Sequence, residues 1–501
     1  MTRVPVSRRA WAATLVALAL AGCAVGPDFV HPAPPGDAGF LPGGSAADVA
    51  AAARGLDKPC ACDADGLPAD WWTLLGSPQL DALVQRALHA SPTLAAARAT
   101  LAHTEELRQA GAGLFLPQAG AAASAGRQES TAIQGGRPHA VGPYGLSTLT
   151  GTVSYSVDVF GARRRAVEGL GAQVDQARAE LEGARIALAA NVADAVVARA
   201  GYQAQAATLT DLERLQDDQL RIAQAQFDAG VASYLPVLAL RSSRATTSAS
   251  IAALRDRSAQ AQTLLAVLCG EAPAGFAPPD IPLWALRLPA APPLELPASW
   301  AAHRPDIVSA EAQLHAASAQ IGVATAALLP DLALNAQGGR AAGAFGSLLS
   351  SGTPFWSLQA LVAATLFDGG ANLHARRAAM AAYDAAAAQY RQTVLAALAQ
   401  VVDSLHALAD DRDAWEARAI AADSAQDAVA LAQARWDAGA AGYLDVLTSD
   451  SQLRAARVDL AGVTAQRLQD AVALYVALGG GWWNRPWPAA TSSGQAGLPL
   501  D

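Results

Sequence analysis

Phe227-Asp228-Ala229-Gly230-Val231-Ala232-Ser233-Tyr234-Leu235 returns 209 positions later as Trp436-Asp437-Ala438-Gly439-Ala440-Ala441-Gly442-Tyr443-Leu444. Upstream, Ser91-Pro92, Leu101 and Leu116-Pro117 return as Arg304-Pro305, Leu314 and Leu329-Pro330, each 213 positions on. Self-similarity at a fixed offset marks a duplicated unit. The drop of four in the offset falls between Pro117 and Phe227. A Pro-rich stretch from Glu271 to Pro297 parts the halves, and a Trp/Gly/Pro-rich tail follows Leu478. The expected division is 77–270 for the first repeat, 271–300 for a linker, 301–478 for the second repeat and 479–501 for the tail.

Each repeat reads as short helix, strand hairpin, very long helix and shorter return helix. No Pro interrupts Ala162 to Phe227, and Leu181, Leu188, Ala195, Tyr202 and Leu209 lie seven apart. Val394, Val401, Leu408, Trp415, Ala422, Val429 and Trp436 repeat that spacing in the second half. Such heptads predict helix-on-helix packing. At about 1.5 Å per residue the long helix measures roughly 100 Å. The return helix, Val237 to Cys269, is half as long, so Pro78 to Phe115 is expected to pair with the remainder. Ser77-Pro78 and Ser91-Pro92 are suited to begin its two pieces, Ser as cap and Pro in the first turn.

The hairpins are expected at about 118–160 and 331–367. From Thr148 to Phe160, Leu149, Gly151, Val153, Tyr155, Val157 and Val159 alternate with Thr148, Thr150, Thr152, Ser154, Ser156 and Asp158. This suits a sheet with lipid on one side and water on the other, although a half-buried soluble sheet also alternates. Leu332, Leu334 and Ala336 alternate with Asp331 and Asn335, and Trp356, Leu358, Ala360, Val362 and Ala364 follow more loosely. The first strand, Gln118 to Gln128, is Ala-rich. The mature chain carries no run of about 18 uninterrupted apolar residues, so a membrane crossing requires a closed barrel. Four strands cannot close one. Membrane barrels start at about eight strands, so at least two chains are needed, and three would also serve.

Hydrophobic residues form 52% of the 501-residue chain and charged residues 16%, which excludes disorder as the main state. A net charge of −9 without a basic cluster argues against nucleic acid as a partner. Arg3, Arg8 and Arg9 precede a short apolar stretch, Trp11 to Leu20, as in an export signal. It ends in Leu20-Ala21-Gly22-Cys23, which resembles a bacterial lipobox; the competing reading is an ordinary secretory signal with an incidental Cys. Cleavage before Cys23 removes 22 residues, three of them arginines, leaving 479 residues of net charge −12. Residues 23–76 are then expected as a lipid-anchored extended or equatorial segment, and 271–300 as a Pro-rich equatorial linker. Cys60 and Cys62 could ligate a soft metal, but no His or third Cys stands near, and an incidental loop pair is the simpler reading. Cys269 reads as core.

Several short motifs, in order, give these features a family. They are Cys23-Ala24-Val25-Gly26-Pro27-Asp28, Trp71-Trp72 with Leu80 and Leu83, Asp158-Val159-Phe160-Gly161, its counterpart Phe367-Asp368-Gly369-Gly370, the paired Asp-Ala-Gly…Tyr-Leu turns, and Leu268-Cys269-Gly270. With the duplication they resemble the TolC-like outer-membrane factors of tripartite efflux systems, in their OprM/NodT lipoprotein branch. The resemblance covers nearly the whole mature chain. It implies a mainly α protein with a small transmembrane β portion: a homotrimer whose 12-stranded barrel is continuous with a long periplasmic α-helical barrel. It implies acyl chains (diacylglycerol and an N-acyl group, typically palmitate) on Cys23 and no other cofactor. A periplasmic membrane-fusion adaptor, an inner-membrane RND-type pump and outer-membrane lipid are the implied partners.

The resemblance also makes the two repeated turns periplasmic tips. Asp228, Gly230, Ser233 and Tyr234, and Asp437, Gly439, Gly442 and Tyr443, become the adaptor-contacting residues; their plain reading is a helical reversal, and both can hold together. Asp445, and further along the same helix Asp450, would line a closed aperture whose carboxylate ring attracts cations. The chain departs from the usual pattern in having Pro236 where the first repeat would match Asp445, and Thr448 where some relatives carry another Asp. The expected function is a passive export duct for drugs or other small molecules. Ducts for type I protein secretion or cation efflux, and a lipid-anchored coiled-coil adaptor without a barrel, are the alternatives. An enzyme on a lipid-anchored scaffold is disfavoured by the lack of a nucleotide-binding loop, a His-Glu-x-x-His or a Gly-x-Ser-x-Gly. Cargo is not encoded in such a chain.

Overall fold

The computed structural model describes residues 24–32, 67–134, 137–289, 303–350 and 353–485. The export signal, Cys23, Cys60 and Cys62 lie outside the described residues. In order the elements are α1 (Pro78–Ala90), α2 (Pro92–Ala112), β1 (Gln118–Gln134), β2 (Arg137–Val157), α3 (Ala162–Asp228), α4 (Leu235–Leu268), α5 (Pro305–Ala326), β3 (Asp331–Ala342), β4 (Thr353–Ala363), α6 (Ala371–Asp437) and α7 (Tyr443–Ala477). Both long helices, α3 and α6, have 67 residues; the return helices α4 and α7 have 34 and 35. The chain divides into two compact units. One holds 1–32, 100–178 and 309–391, the other 33–99, 179–308 and 392–501.

The first unit contains one antiparallel sheet in the order β1-β2-β3-β4. Strand β1 runs on to Gln134, past the expected end at Gln128. Strands β2 and β4 stop early, at Val157 and Ala363, so Val159, Phe160 and Ala364 lie beyond the ladder that alternation alone assigned them to. Local chemistry ends β2. The Asp158 carboxylate accepts from the backbone N–H of Arg163 (3.1 Å) and Arg164 (3.0 Å), which closes the orphan donors of α3, and Gly161 at φ +81° turns the chain into it. Asp368 does the same for α6, accepting from Gly370 (2.8 Å) and Asn372 (2.9 Å). Those backbone N–H bonds hold its carboxyl below the usual range.

In the second unit the core gathers Trp71, Trp72, Leu75 and the buried face of α1 against α3, α6 and α7. Trp71 lies stacked on Tyr475, ring centroids 5.8 Å apart, and meets Trp72 edge-on at 5.9 Å. Ser77 caps α1, its hydroxyl accepting from Leu80 N–H at 3.3 Å. The expected heptad residues Leu188, Ala195, Val401 and Leu408 are buried, so the seven-residue spacing does mark the helix seams. Arg304, buried, donates to Ala477 O (2.5 Å), Asp306 (2.8 Å) and Gln400 (2.7 Å). Cys269 is in this core.

Three carboxylates also meet in this unit: Asp194 of α3, Asp411 of α6 and Asp470 of α7. Burial, with Asp470 nearby, pushes the Asp194 carboxyl up to about 7; burial and a hydrogen bond with Asp470 raise Asp411 as well. A carboxyl whose folded pKa is raised binds more protons folded than unfolded. Its stabilising share is complete below the unfolded value near 3.8 and is lost as pH rises through about 7. Asp194→Asn is therefore expected to stabilise the protein at pH 8, by on the order of 1–3 kcal/mol, and to leave it nearly unchanged at pH 4. Thermal unfolding of both forms across that range checks this; a pH-independent difference would contradict it.

Helix α6 includes a stretch apolar enough, by length and composition, to cross a membrane, although polar residues interrupt it. Its mean hydropathy of 1.2 sits in a 67-residue helix of roughly 100 Å, over three times a bilayer core of about 30 Å.

Candidate functional site

Two regions carry features that a channel needs. The first is the sheet. Its register aligns most rows of side chains by character, with Arg340 as an exception on the apolar face and Phe355 and Leu361 as exceptions on the polar one. Ala119-Val153-Ala336-Leu358, Ala121-Gly151-Gly338-Trp356, Tyr155-Leu334-Ala360 and Val157-Leu332-Val362 share one face. Gln118-Ser154-Asn335-Gln359, Gly120-Thr152-Gln337-Ser357 and Ser124-Thr148-Ala341-Thr353 share the other. The polar face bonds across strands, Ser124 to Thr148 at 2.7 Å and Ser156 to Asp331 at 3.3 Å. Large apolar residues on the opposite face are exposed, Trp356 at 81% and Leu358 at 73%. From Leu332 to Arg340 that face runs about 27 Å along the strand at 3.3–3.4 Å per residue, which a barrel tilt of about 40° turns into roughly 20 Å of height, of the order of the apolar band of a membrane barrel. Among the described residues β1 pairs only with β2, and β4 only with β3, so both edges offer unused backbone groups.

The second region is the pair of helical reversals in the other unit. Each long helix ends in the same hydrogen-bonded turn: Gly230 N–H to Phe227 O (2.8 Å) with Val231 N–H to Gln226 O (3.0 Å), and Gly439 N–H to Trp436 O (2.8 Å) with Ala440 N–H to Arg435 O (2.8 Å). Gly230 and Gly439 lie at φ +72° and +71°, where an L side chain is strained. The first aromatic of each turn packs on the later Tyr: Phe227 on Tyr234 at 4.9 Å and Trp436 on Tyr443 at 5.3 Å, at nearly equal tilts. That pairing was legible as an aromatic seven residues before a Tyr in both repeats, a signal outweighed by the glycines. Asp228 accepts from Gln224 and Asp437 from Gln433, both at 2.9 Å. Ser233 and Gly442 sit within the turns, and Val231, Leu235 and Leu238 are exposed beside them.

The two aperture candidates have partners within the chain. Asp445 Oδ2 accepts from Gly442 N–H at 3.1 Å, capping α7; Pro236 at the matching place in α4 cannot do this. Asp450 accepts from Arg454 Nε at 3.3 Å, and Arg454 also reaches Asp211 of α3 at 3.5 Å. Gln219 of α3 donates to Ser451 at 3.0 Å. These bonds tie α7 to α3 next to the reversal, and sequence spacing gave no sign of them.

The chain matches the outer membrane efflux protein family over residues 83–271 and 296–480. It belongs to that family. Relatives include the pyoverdine export outer membrane protein OpmQ of Pseudomonas aeruginosa, 32% identical over 82% of this chain and 87% of OpmQ. The toluene efflux pump outer membrane protein TtgF of Pseudomonas putida is 30% identical over 94% of this chain and 96% of TtgF. Among solved structures, the outer-membrane channel OprN superposes with a TM-score of 0.79 at 28% identity, covering 92% of this chain and all of OprN. The outer membrane protein VceC of Vibrio cholerae gives 0.73 at 26% identity, over 83% of this chain and all of VceC. This member of the outer membrane efflux family therefore resides in the outer membrane and has the TolC-like fold. The family is one of export channels, not of enzymes.

Proposed function

We propose that this efflux protein is a trimeric, lipid-anchored export duct that passes drugs or other small molecules delivered by a periplasmic adaptor and an inner-membrane RND-type pump. The observation that carries the reading is the four-stranded sheet, apolar on one face and polar on the other, with both edges open. Three copies joined β4 to β1 close a twelve-stranded wall with lipid outside and water inside. The 67-residue helices and their returns supply a periplasmic conduit, and the division into repeats 77–270 and 301–478 follows the doubled helix–hairpin–helix order. Acyl chains on Cys23 fasten the mature N-terminus to the membrane; two or three chains, at about 0.8 kcal/mol per buried methylene, make that attachment firm.

The reversals serve as adaptor contacts, with Asp228, Gly230, Ser233 and Tyr234 in one and Asp437, Gly439, Gly442 and Tyr443 in the other. Their small residues admit a partner helix closely. Asp445 and Asp450 form the aperture. Relatives exporting pyoverdine and toluene agree with small-molecule cargo. Purified in detergent, the protein is expected to have the mass of three chains and to give discrete conductance steps in planar bilayers; a monomer soluble without detergent would refute the duct.

The same recordings test the aperture. Asp445→Ala removes a carboxylate and the capping-box bond it accepts from Gly442 N–H at the start of α7, so closed-state conductance should rise. Asp450→Ala should raise it less, because Arg454 already offsets that charge. Closed-state currents unchanged in both variants would remove these residues from the aperture.

A further inference from the structure

Residues 24–32 contain no helix or strand, yet Val25, Asp28, Phe29 and His31 are fastened to the rest of the first unit. Val25 N–H donates to Phe160 O at 3.0 Å. The Arg165 guanidinium, its side chain only 6% exposed, donates to Val25 O (3.4 Å), to Asp28 (2.6 Å) and to Glu168 of its own helix (2.8 Å). Phe29 stacks on His315 at 4.3 Å, and His315 pairs with Glu168 at 3.0 Å. His31 pairs with Glu311.

Three close approaches, two of them to backbone, complete the seat. Gly26, at φ +98°, rests on Gly322 so tightly that a Cβ on Gly26 would fall 2.5 Å from the Gly322 Cα. A Cβ on Gly322 would fall 2.6 Å from Arg165 Cγ, and one on Gly161 would fall 2.7 Å from the Ala24 Cα. A flexible tether for a lipid would need none of this. A buried guanidinium requires partners, and without the segment Arg165 would keep only Glu168 among these contacts.

The position of the seat gives it a purpose. Phe160 and Gly161 follow Val157 by three and four residues, and the Val157-Leu332-Val362 row is the last of the apolar face. We propose that Arg165 is the positioning residue of an N-terminal clasp, residues 24–32, which holds Ala24, the residue after the proposed acylation site, level with the edge of the sheet's apolar face. The clasp rests on the acylation of Cys23 proposed above. It sets lipid anchor and barrel at one depth, so that the acyl chains and the sheet enter the bilayer together rather than compete for its thickness.

Arg165→Ala and Arg165→Lys test this in two backgrounds. One is the natural acylated chain; the other carries Cys23→Ser behind an ordinary cleaved secretory signal. In the acylated chain, Arg165→Ala is expected to leave the lipid mass on the N-terminal peptide unchanged. Hydrogen-exchange protection of the Val25 amide should drop about tenfold, the scale of one charge-assisted hydrogen bond. The amount of SDS-resistant oligomer in the outer membrane should fall with it, and Arg165→Lys, keeping charge but not the fork, should restore part of both. In the unacylated background Arg165→Ala should not change the oligomer. Equal losses in both backgrounds would make Arg165 merely structural and overturn the clasp, as would unchanged Val25 protection. A wild-type N-terminal peptide without lipid mass would instead overturn the anchor itself.

Discussion

Val153→Arg is expected to empty the outer membrane of assembled protein, whereas Thr152→Arg, one residue away, leaves assembly nearly intact. Val153 stands in the middle of the apolar rows, between Ala119 and Ala336, and is 44% exposed in the chain. Thr152 points to the polar face, where its hydroxyl donates to Gly120 O at 3.4 Å. A guanidinium on the lipid face at mid-depth costs about 2–4 kcal/mol per chain, and each copy in the wall bears that cost. On the water-lined face the same group remains hydrated. Membrane fractionation with heat-modifiable mobility on gels measures both. Similar losses from the two variants would mean that the sheet does not separate lipid from water.

Trp71→Ala should destabilise the second unit by about 3–5 kcal/mol, the range for removing a buried aromatic. Trp71 is 2% exposed, and the Tyr475 on which it stacks is 1% exposed. Burial alone raises the Tyr475 hydroxyl pKa, so that ring is held as a neutral core residue. The Trp71 indole N–H is buried without a hydrogen-bond partner among the described residues. Trp71→Phe therefore gives up area and not a bond, and should cost less than half as much as Ala. Thermal unfolding followed by near-ultraviolet circular dichroism reports the loss of this aromatic cluster. A Trp71→Ala midpoint matching the wild type would show that the cluster is not what holds the unit together.

The sequence disclosed the repeat, the long helices and the two hairpins because each rests on periodicity. A Pro-free stretch with heptads has few foldings open to it, and strict alternation from Thr148 to Val157 marks both faces of β2. What periodicity could not disclose was fixed by single side chains acting locally or over long separations. Val159 continues the alternation of β2, yet Asp158 takes the chain out of the ladder by binding the N–H groups of α3. The contact between Arg165 and Asp28 spans 137 positions and has no pattern to announce it. The resemblance offers Asp445 only as an aperture residue. The structure puts its carboxylate on Gly442 N–H, which suits a residue whose loss would alter both charge and helix geometry. Asp194 looked like any helical acid until its burial beside Asp470 was visible.

The open borders of β1 and β4 also bear on inheritance. In the proposed trimer no copy finishes its own wall, so each gene product is judged by its companions. A defective allele that still offers one sound border would be incorporated and would poison the rings it joins. In a cell expressing both alleles, intact ducts would decline as the cube of the healthy fraction, making such a lesion dominant where a complete deletion would be recessive.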